Sequence, residues 1–149
     1  MAGTGAVVMG RRMFSGGAGP WEDDSNSDGW WGEKPPFGVP VFILTHHARE
    51  QATKAGGTTF NFVTDGIESA LEQARAAAGE RNVQISGGAD VVQQFLRAGL
   101  VDELRMHVAP VLLGDGTRLF GEGGEPIGLE ATRVLSSPKA THLTFRVGS

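Results

Sequence analysis

The sequence predicts an α/β domain, a mixed and mostly parallel sheet with flanking helices, closed at its carboxy-terminal end by an antiparallel hairpin. Three observations carry this expectation. The apolar runs Ala6-Val7-Val8-Met9 and 39–45 are continuous rather than alternating, which marks strands covered on both faces. Through the middle of the chain, strand-like and helix-like stretches alternate as they do in parallel folds. From Glu103 onward the pattern changes: Leu104, Met106 and Val108 alternate with Glu103, Arg105 and His107. Two final strands, near 131–136 and 141–147, are joined across Ser137-Pro138-Lys139-Ala140 and predict a hairpin at the sheet edge.

Composition narrows the class. With 149 residues the chain has room for one domain with a proper core, taken as 1–149, and too little for two comfortable ones. Hydrophobic residues make up 40% and charged ones 20%, so neither a disordered chain nor a membrane protein is expected. The formal net charge of -4, with scattered basic residues, argues against a surface that tracks a nucleic-acid backbone. There is no cysteine, which excludes disulfides, thiolate nucleophiles and cysteine metal sites. Met1-Ala2-Gly3-Thr4-Gly5 lacks the basic and long apolar segments of a secretory signal, so a cytoplasmic location is expected.

Taken in order, the first strand ends at Gly10-Arg11-Arg12-Met13-Phe14, where glycine and two arginines lead into a helical turn. Guanidiniums at a strand end suit bidentate recognition of phosphate; a solvated basic turn is the alternative. Residues 15–38 have another texture, with Trp21, the acidic run Glu22-Asp23-Asp24, and Gly29-Trp30-Trp31-Gly32. A long loop of this kind is read as a flap over a site, as a subunit contact, or as a segment pinned to its own domain by its rings.

The strand over 39–45 ends at Thr45-His46-His47. Adjacent strand residues point to opposite faces, so these histidines do not readily share a metal. Thr58–Thr64 reads as a further strand. After it, Asp65 and Glu68 fit a capping box, and Ile67, Ala70, Leu71, Ala74 and Ala78 follow helical spacing to Gly79.

The most informative stretch is Asn82–Leu96: a buried strand to Ser86, the pair Gly87-Gly88, and a helix whose apolar face is Val91, Val92, Phe95 and Leu96. Asp90 and Gln93 fit a second capping box, and Gly99 stands at the helix end. A glycine turn that leads into free helix N–H groups suits an anionic ligand, although the pair alone is equally a tight turn. His107 and His142 fall on the polar faces of alternating strands and are expected to be solvated or hydrogen-bonded.

Val8-Met9-Gly10-Arg11-Arg12, Leu44-Thr45-His46, Ile85-Ser86-Gly87-Gly88-Ala89-Asp90-Val91 and the run from Gly99-Leu100-Val101-Asp102 through Pro110 to Gly116 together resemble the dihydrofolate reductase family. The nearer resemblance is to the branch related to the reductase domain of riboflavin biosynthesis, and it covers nearly the whole chain. It implies a three-layer fold that binds NADPH across the strand ends and passes a hydride to a small heterocycle such as a pterin or a pyrimidine. Gly10, Arg11 and Arg12 would lie along the cofactor phosphates, and Thr45 with His46 near the adenosine 2′-phosphate. Ser86, Gly87 and Gly88, with a cis peptide between the glycines, would let Ala89, Asp90 and Val91 approach the pyrophosphate and nicotinamide.

Two departures from the family pattern stand out. Where the family commonly places a threonine after Gly-Arg-x, this chain has Met13, which loses the hydroxyl and keeps the backbone N–H. Relatives also begin with a strand, a loop and a helix ahead of the strand at Ala6, so an amino-terminally shortened domain is expected. No carboxylate is assigned to proton delivery, and the catalytic residue is unknown. Three readings follow: an NADPH-dependent oxidoreductase, a shortened non-catalytic relative that keeps the fold and nucleotide binding, and a structural subunit acting through the Trp30-Trp31 loop. Apolar strands, the edge hairpin and the tryptophan loop are compatible with a homodimer.

Overall fold

The computed structural model describes residues 3–15, 21, 29, 31–120 and 126–148. The acidic run Glu22-Asp23-Asp24 and Trp30 lie outside the described residues. The chain forms two compact units, Met1–Val92 and Gln93–Ser149.

The first unit contains β1 (Thr4–Gly10), α1 (Arg11–Ser15), β2 (Pro40–Leu44), β3 (Ala52–Thr53), β4 (Thr59–Val63), α2 (Ile67–Ala78), β5 (Asn82–Gly87) and the start of α3 (Ala89–Arg97). Its strands are ordered β3-β4-β2-β1-β5. β1 runs parallel to β2 and to β5, and β2 parallel to β4, whereas β3 is antiparallel to β4. The strands expected from apolar runs are therefore present. β3 was not anticipated, because a two-residue pairing of Ala52 with Phe60 and Thr53 with Thr59 leaves no periodicity to read.

β1 has a partner on each side, and Ala6, Val7, Val8 and Met9 are fully buried, which accounts for the unbroken apolar run. Val7, Met9, Val41, Ile43 and Phe60 form one cluster with Phe14. The spacing of two residues within β1 and within β2 puts each strand's pair on a single face. Trp21, Trp31, Phe37 and Phe62 pack against this cluster, so two of the three loop tryptophans are pinned to their own unit. α2 packs across β1, β2 and β5 through Ala70, Leu71, Ala74 and Ala78. Its end is set by Gly79, at φ +64°, whose N–H donates to the Arg75 carbonyl at 3.1 Å.

Neither expected capping box forms. At α2 the N-cap is Gly66, with φ +95° and no side-chain cap; Ala70 N–H donates to its carbonyl at 3.2 Å. Asp65 instead accepts from the Thr64 hydroxyl at 3.3 Å. At α3, Val92 N–H donates to the Gly88 carbonyl at 3.1 Å, so Asp90 sits within the first turn, where its charge complements the helix dipole. Gln93 turns away and donates to the carbonyls of Arg118 and Leu119. In both helices a glycine carbonyl opens the ladder, one residue after Asp65 at α2 and two residues before Asp90 at α3.

In the second unit, β6 (Glu103–Val108), β7 (Leu129–Ser136) and β8 (Thr141–Val147) form an antiparallel sheet in the order β6-β8-β7. The predicted hairpin is β7 to β8, closed by Ser137 N–H donating to the Ala140 carbonyl at 2.9 Å. α3 ends in a Schellman motif: Leu100 N–H donates to the Phe95 carbonyl and Gly99 N–H to that of Leu96, with Gly99 at φ +70°. Among the described residues, β5 on the side away from β1 and β6 on the side away from β8 have no strand partner. No helix among them is long and apolar enough to cross a membrane.

Candidate functional site

Because β1, β2 and β5 are parallel, their carboxy-terminal ends share one edge of the sheet. The register pairs Gly10 with Leu44 and Met9 with Gly87. The strand order also reverses at β1, with β2 and β4 laid down on one side and β5 on the other. Such reversals open a crevice outside the strand ends, where ligands bind in open α/β sheets. All the residues singled out from the sequence, Gly10 to Met13, Thr45 and His46, and Ser86 to Val91, lie at or just beyond these ends.

Three glycines shape the crevice. A Cβ on Gly10 would stand 2.8 Å from Val91 Cγ2 and 3.6 Å from the Gly87 carbonyl oxygen, so the end of β1 closes on the start of α3 only with glycine there. Gly87 has φ +120°, a region that L side chains rarely adopt. The Gly87–Gly88 peptide is cis, as the family resemblance implied. Gly88 is exposed, with open space where a side chain would be. Beyond it, Ala89, Asp90 and Val91 form the first turn of α3 ahead of Val92, whose N–H donates to the Gly88 carbonyl.

The polar side chains are less uniform than the sequence suggested. Arg12 is exposed, but Arg11 is only 8% exposed and its Nε donates to the Ser15 hydroxyl at 3.2 Å. Its guanidinium lies 3.4 Å from the centroid of the Trp21 ring. The Arg49 guanidinium stands 4.7 Å from the same ring and 4.5 Å from that of Phe62. Trp21 is itself fixed by its Nε1–H, which donates to the His47 carbonyl at 2.6 Å.

Thr45 is buried and its hydroxyl serves a local turn, accepting from His47 N–H at 3.1 Å and donating to the His47 carbonyl at 3.4 Å. His46 is exposed. The Ser86 hydroxyl accepts from Gln84 Nε2 at 3.1 Å. The Met13 sulfur is 3.5 Å from where a Cβ on Gly87 would be, so the thioether lies against the glycine turn. Among the described residues no three His, Asp or Glu side chains converge as a metal site. The roles of Trp21 and Arg49 were not legible from spacing, since ring and guanidinium meet only through the fold.

Parallel strand ends meeting at a glycine turn, followed by an antiparallel tail, place the chain among the reductase folds of dihydrofolate reductase type. Residues 1–143 match the model of the RibD C-terminal domain, and the chain belongs to that family. It is 35% identical over 78 residues to the uncharacterized protein YyaP of Bacillus subtilis (strain 168), a match covering 51% of this chain and 41% of YyaP. It is 37% identical over 73 residues to the riboflavin biosynthesis protein RibD of Corynebacterium ammoniagenes, covering 46% of this chain and 22% of that protein. The matched stretch thus spans less than half of either relative. A crystal structure of a protein provisionally assigned to riboflavin biosynthesis, from Shewanella sp. PV-4, superposes with a TM-score of 0.72. That match covers 98% of this chain and 75% of the other at 24% identity, a likeness of fold.

Proposed function

We propose that this chain is an NADPH-dependent reductase that passes a hydride to a small heterocycle, a pterin, a pyrimidine or similar. The observation that carries this reading is the close meeting of Gly10 with the Gly87–Gly88 turn at the strand-order reversal, at the start of α3 and with open space where a side chain on Gly88 would be. NADPH, when bound, supplies the hydride; the protein's part is to hold and orient it and to exclude water. The N–H groups of Ala89 to Val91 would take the pyrophosphate. Arg12 and His46, both exposed at this edge, would take the additional phosphate. Arg11 acts through its stack on Trp21, which also fixes the loop after β2 by way of the His47 carbonyl.

Titration with NADPH and NADH, followed by nicotinamide fluorescence, tests this reading. NADPH is expected to bind more tightly. Arg12→Ala is expected to weaken NADPH by about tenfold, the scale of one hydrogen bond to a charged group, and to leave NADH nearly unchanged. Arg12 is the informative position because it is exposed, whereas removing Arg11 would also disturb packing. A folded chain that binds neither nucleotide would sink the proposal.

A second reading, a relative that keeps nucleotide binding without turnover, is favoured by one observation. Among Gly10 to Met13, Thr45, His46 and Ser86 to Val91, Asp90 alone is acidic, and it sits in the first turn of α3. NADPH binding without oxidation across a panel of pterins, pyrimidines and flavins would select it.

A homodimer belongs to the same proposal. Leu112, Leu113, Val134 and Leu135 of the second unit are exposed, and apolar side chains in such number suit a protein contact. Sedimentation is expected to give twice the chain mass at micromolar concentration. A monomer under those conditions would remove this part.

A further inference from the structure

We propose that His107 and His142 form a two-histidine site for a divalent late first-row transition ion of the Cu2+, Ni2+ and Zn2+ group, with water completing its coordination. His107 on β6 and His142 on β8 are directly opposed in the antiparallel register. Their Nδ1 atoms are 2.6 Å apart, with ring centroids at 4.8 Å and planes at 69°. The two Nδ1 atoms face each other within hydrogen-bond distance, the donor and acceptor roles set by the tautomer, so both nitrogens converge on one point.

An ion can take the place of that hydrogen bond with little rearrangement, each neutral ring then carrying its proton on Nε2. Two imidazole nitrogens bound at about 2.0–2.1 Å to one ion stand about 3 Å apart, so the rings need only rotate slightly outward. The backbone that carries them is already fixed, because Met106 pairs with Leu143 on one side and Val108 with Thr141 on the other. Imidazole nitrogen suits copper, nickel and zinc, with copper held most tightly.

The surroundings define what kind of site this is. His107 is exposed and His142 half-buried, so solvent reaches the ion. Among the described residues no third His, Asp or Glu joins the pair, which makes the site open and exchangeable rather than a closed structural centre. The same concavity is lined by Arg105, Arg133 and Thr144; the charge of Arg105 is offset by Glu103, whose carboxylate lies 2.6 Å from its Nε. An ion held here ties β6 to β8 and stabilises the folded sheet.

The test is calorimetric titration of the full chain with Ni2+ near neutral pH. One ion per chain is expected, and His107→Ala and His142→Ala are each expected to weaken it by about tenfold or more, because either change ends the chelation. The double variant should lose little beyond either single one. His46→Ala/His47→Ala, which removes the remaining histidines, should leave the affinity unchanged. Should an alanine variant fold poorly, His107→Gln keeps a polar strand residue, and the wild-type chain loaded with Cu2+ should show coupling to two imidazole nitrogens in its electron paramagnetic resonance. A change of less than about twofold on losing either histidine, or affinity that follows His46 and His47 instead, overturns the proposal.

Discussion

Replacing Phe14 by alanine is expected to cost the folded chain about 3–5 kcal/mol, the range for emptying a buried aromatic site. Phe14 is 1% exposed and has ring centroids around it at 4.9 Å for Phe60, 5.5 Å for Phe62, 6.0 Å for Trp21 and 6.4 Å for Trp31. Three of these contacts are edge-on, the arrangement in which aromatic pairs add to simple burial. The change should reach beyond the core. α1 is five residues long, too short to persist by itself, so the Phe14 anchor is what holds Arg11 and Arg12 at the end of β1. Urea unfolding followed by tryptophan emission measures the loss directly, since Trp21 and Trp31 each lose a neighbour. A loss below about 1 kcal/mol would contradict the packing described.

Gly10→Ala should destabilise by about 1–3 kcal/mol, as overpacking does when one methyl group is forced into a filled site. The new Cβ would meet Val91 Cγ2 at 2.8 Å. Val91 is β-branched, 7% exposed and at the start of a helix, so it has little freedom to turn aside. On the proposed function, nucleotide affinity falls with stability, because the displaced turn is the one meant to hold the pyrophosphate. Combining Gly10→Ala with Val91→Ala separates the clash from any general effect. The double variant should be more stable than the sum of its parts predicts, with a coupling of about 0.5–3 kcal/mol by chemical denaturation. Strict additivity would show that the two positions do not touch.

Much of this architecture is legible in the sequence, because β1 and β2 are buried on both faces and write that burial as uninterrupted apolar runs, whereas β5 is covered only in part. Ala6 to Met9 and Val41 to Ile43 are such cases. The edge carrying Gly10, Thr45 and Gly87 followed from strand direction and from the family resemblance. What escaped depends on partners distant in sequence. Arg11 reads as a surface cation, yet Trp21 and Ser15 take it into the protein. The resemblance puts Thr45 near the adenosine 2′-phosphate, and its hydroxyl bonds within a turn two residues long. The capping boxes failed for another reason: a glycine takes the N-cap place one residue after Asp65 at α2, and Gly88 opens the ladder two residues before Asp90 at α3. Likewise, His107 and His142 are a pair only through the register of β6 against β8.

The placement of β1 between β2 and β5 bears on how the molecule comes into being. β1 is synthesised before both of its neighbours, and each of its ladders is made with a segment synthesised much later: Val7 faces Val41 on one side and Gln84 on the other. Contacts so far apart along the chain close slowly, since loop entropy is lost before any pairing repays it. The crevice therefore has no early or partial version. Gly10 meets the Gly87–Gly88 turn only when the last strand of the unit docks, so ligand affinity and cooperative folding arrive in the same step, and a fragment ending before β5 would have neither.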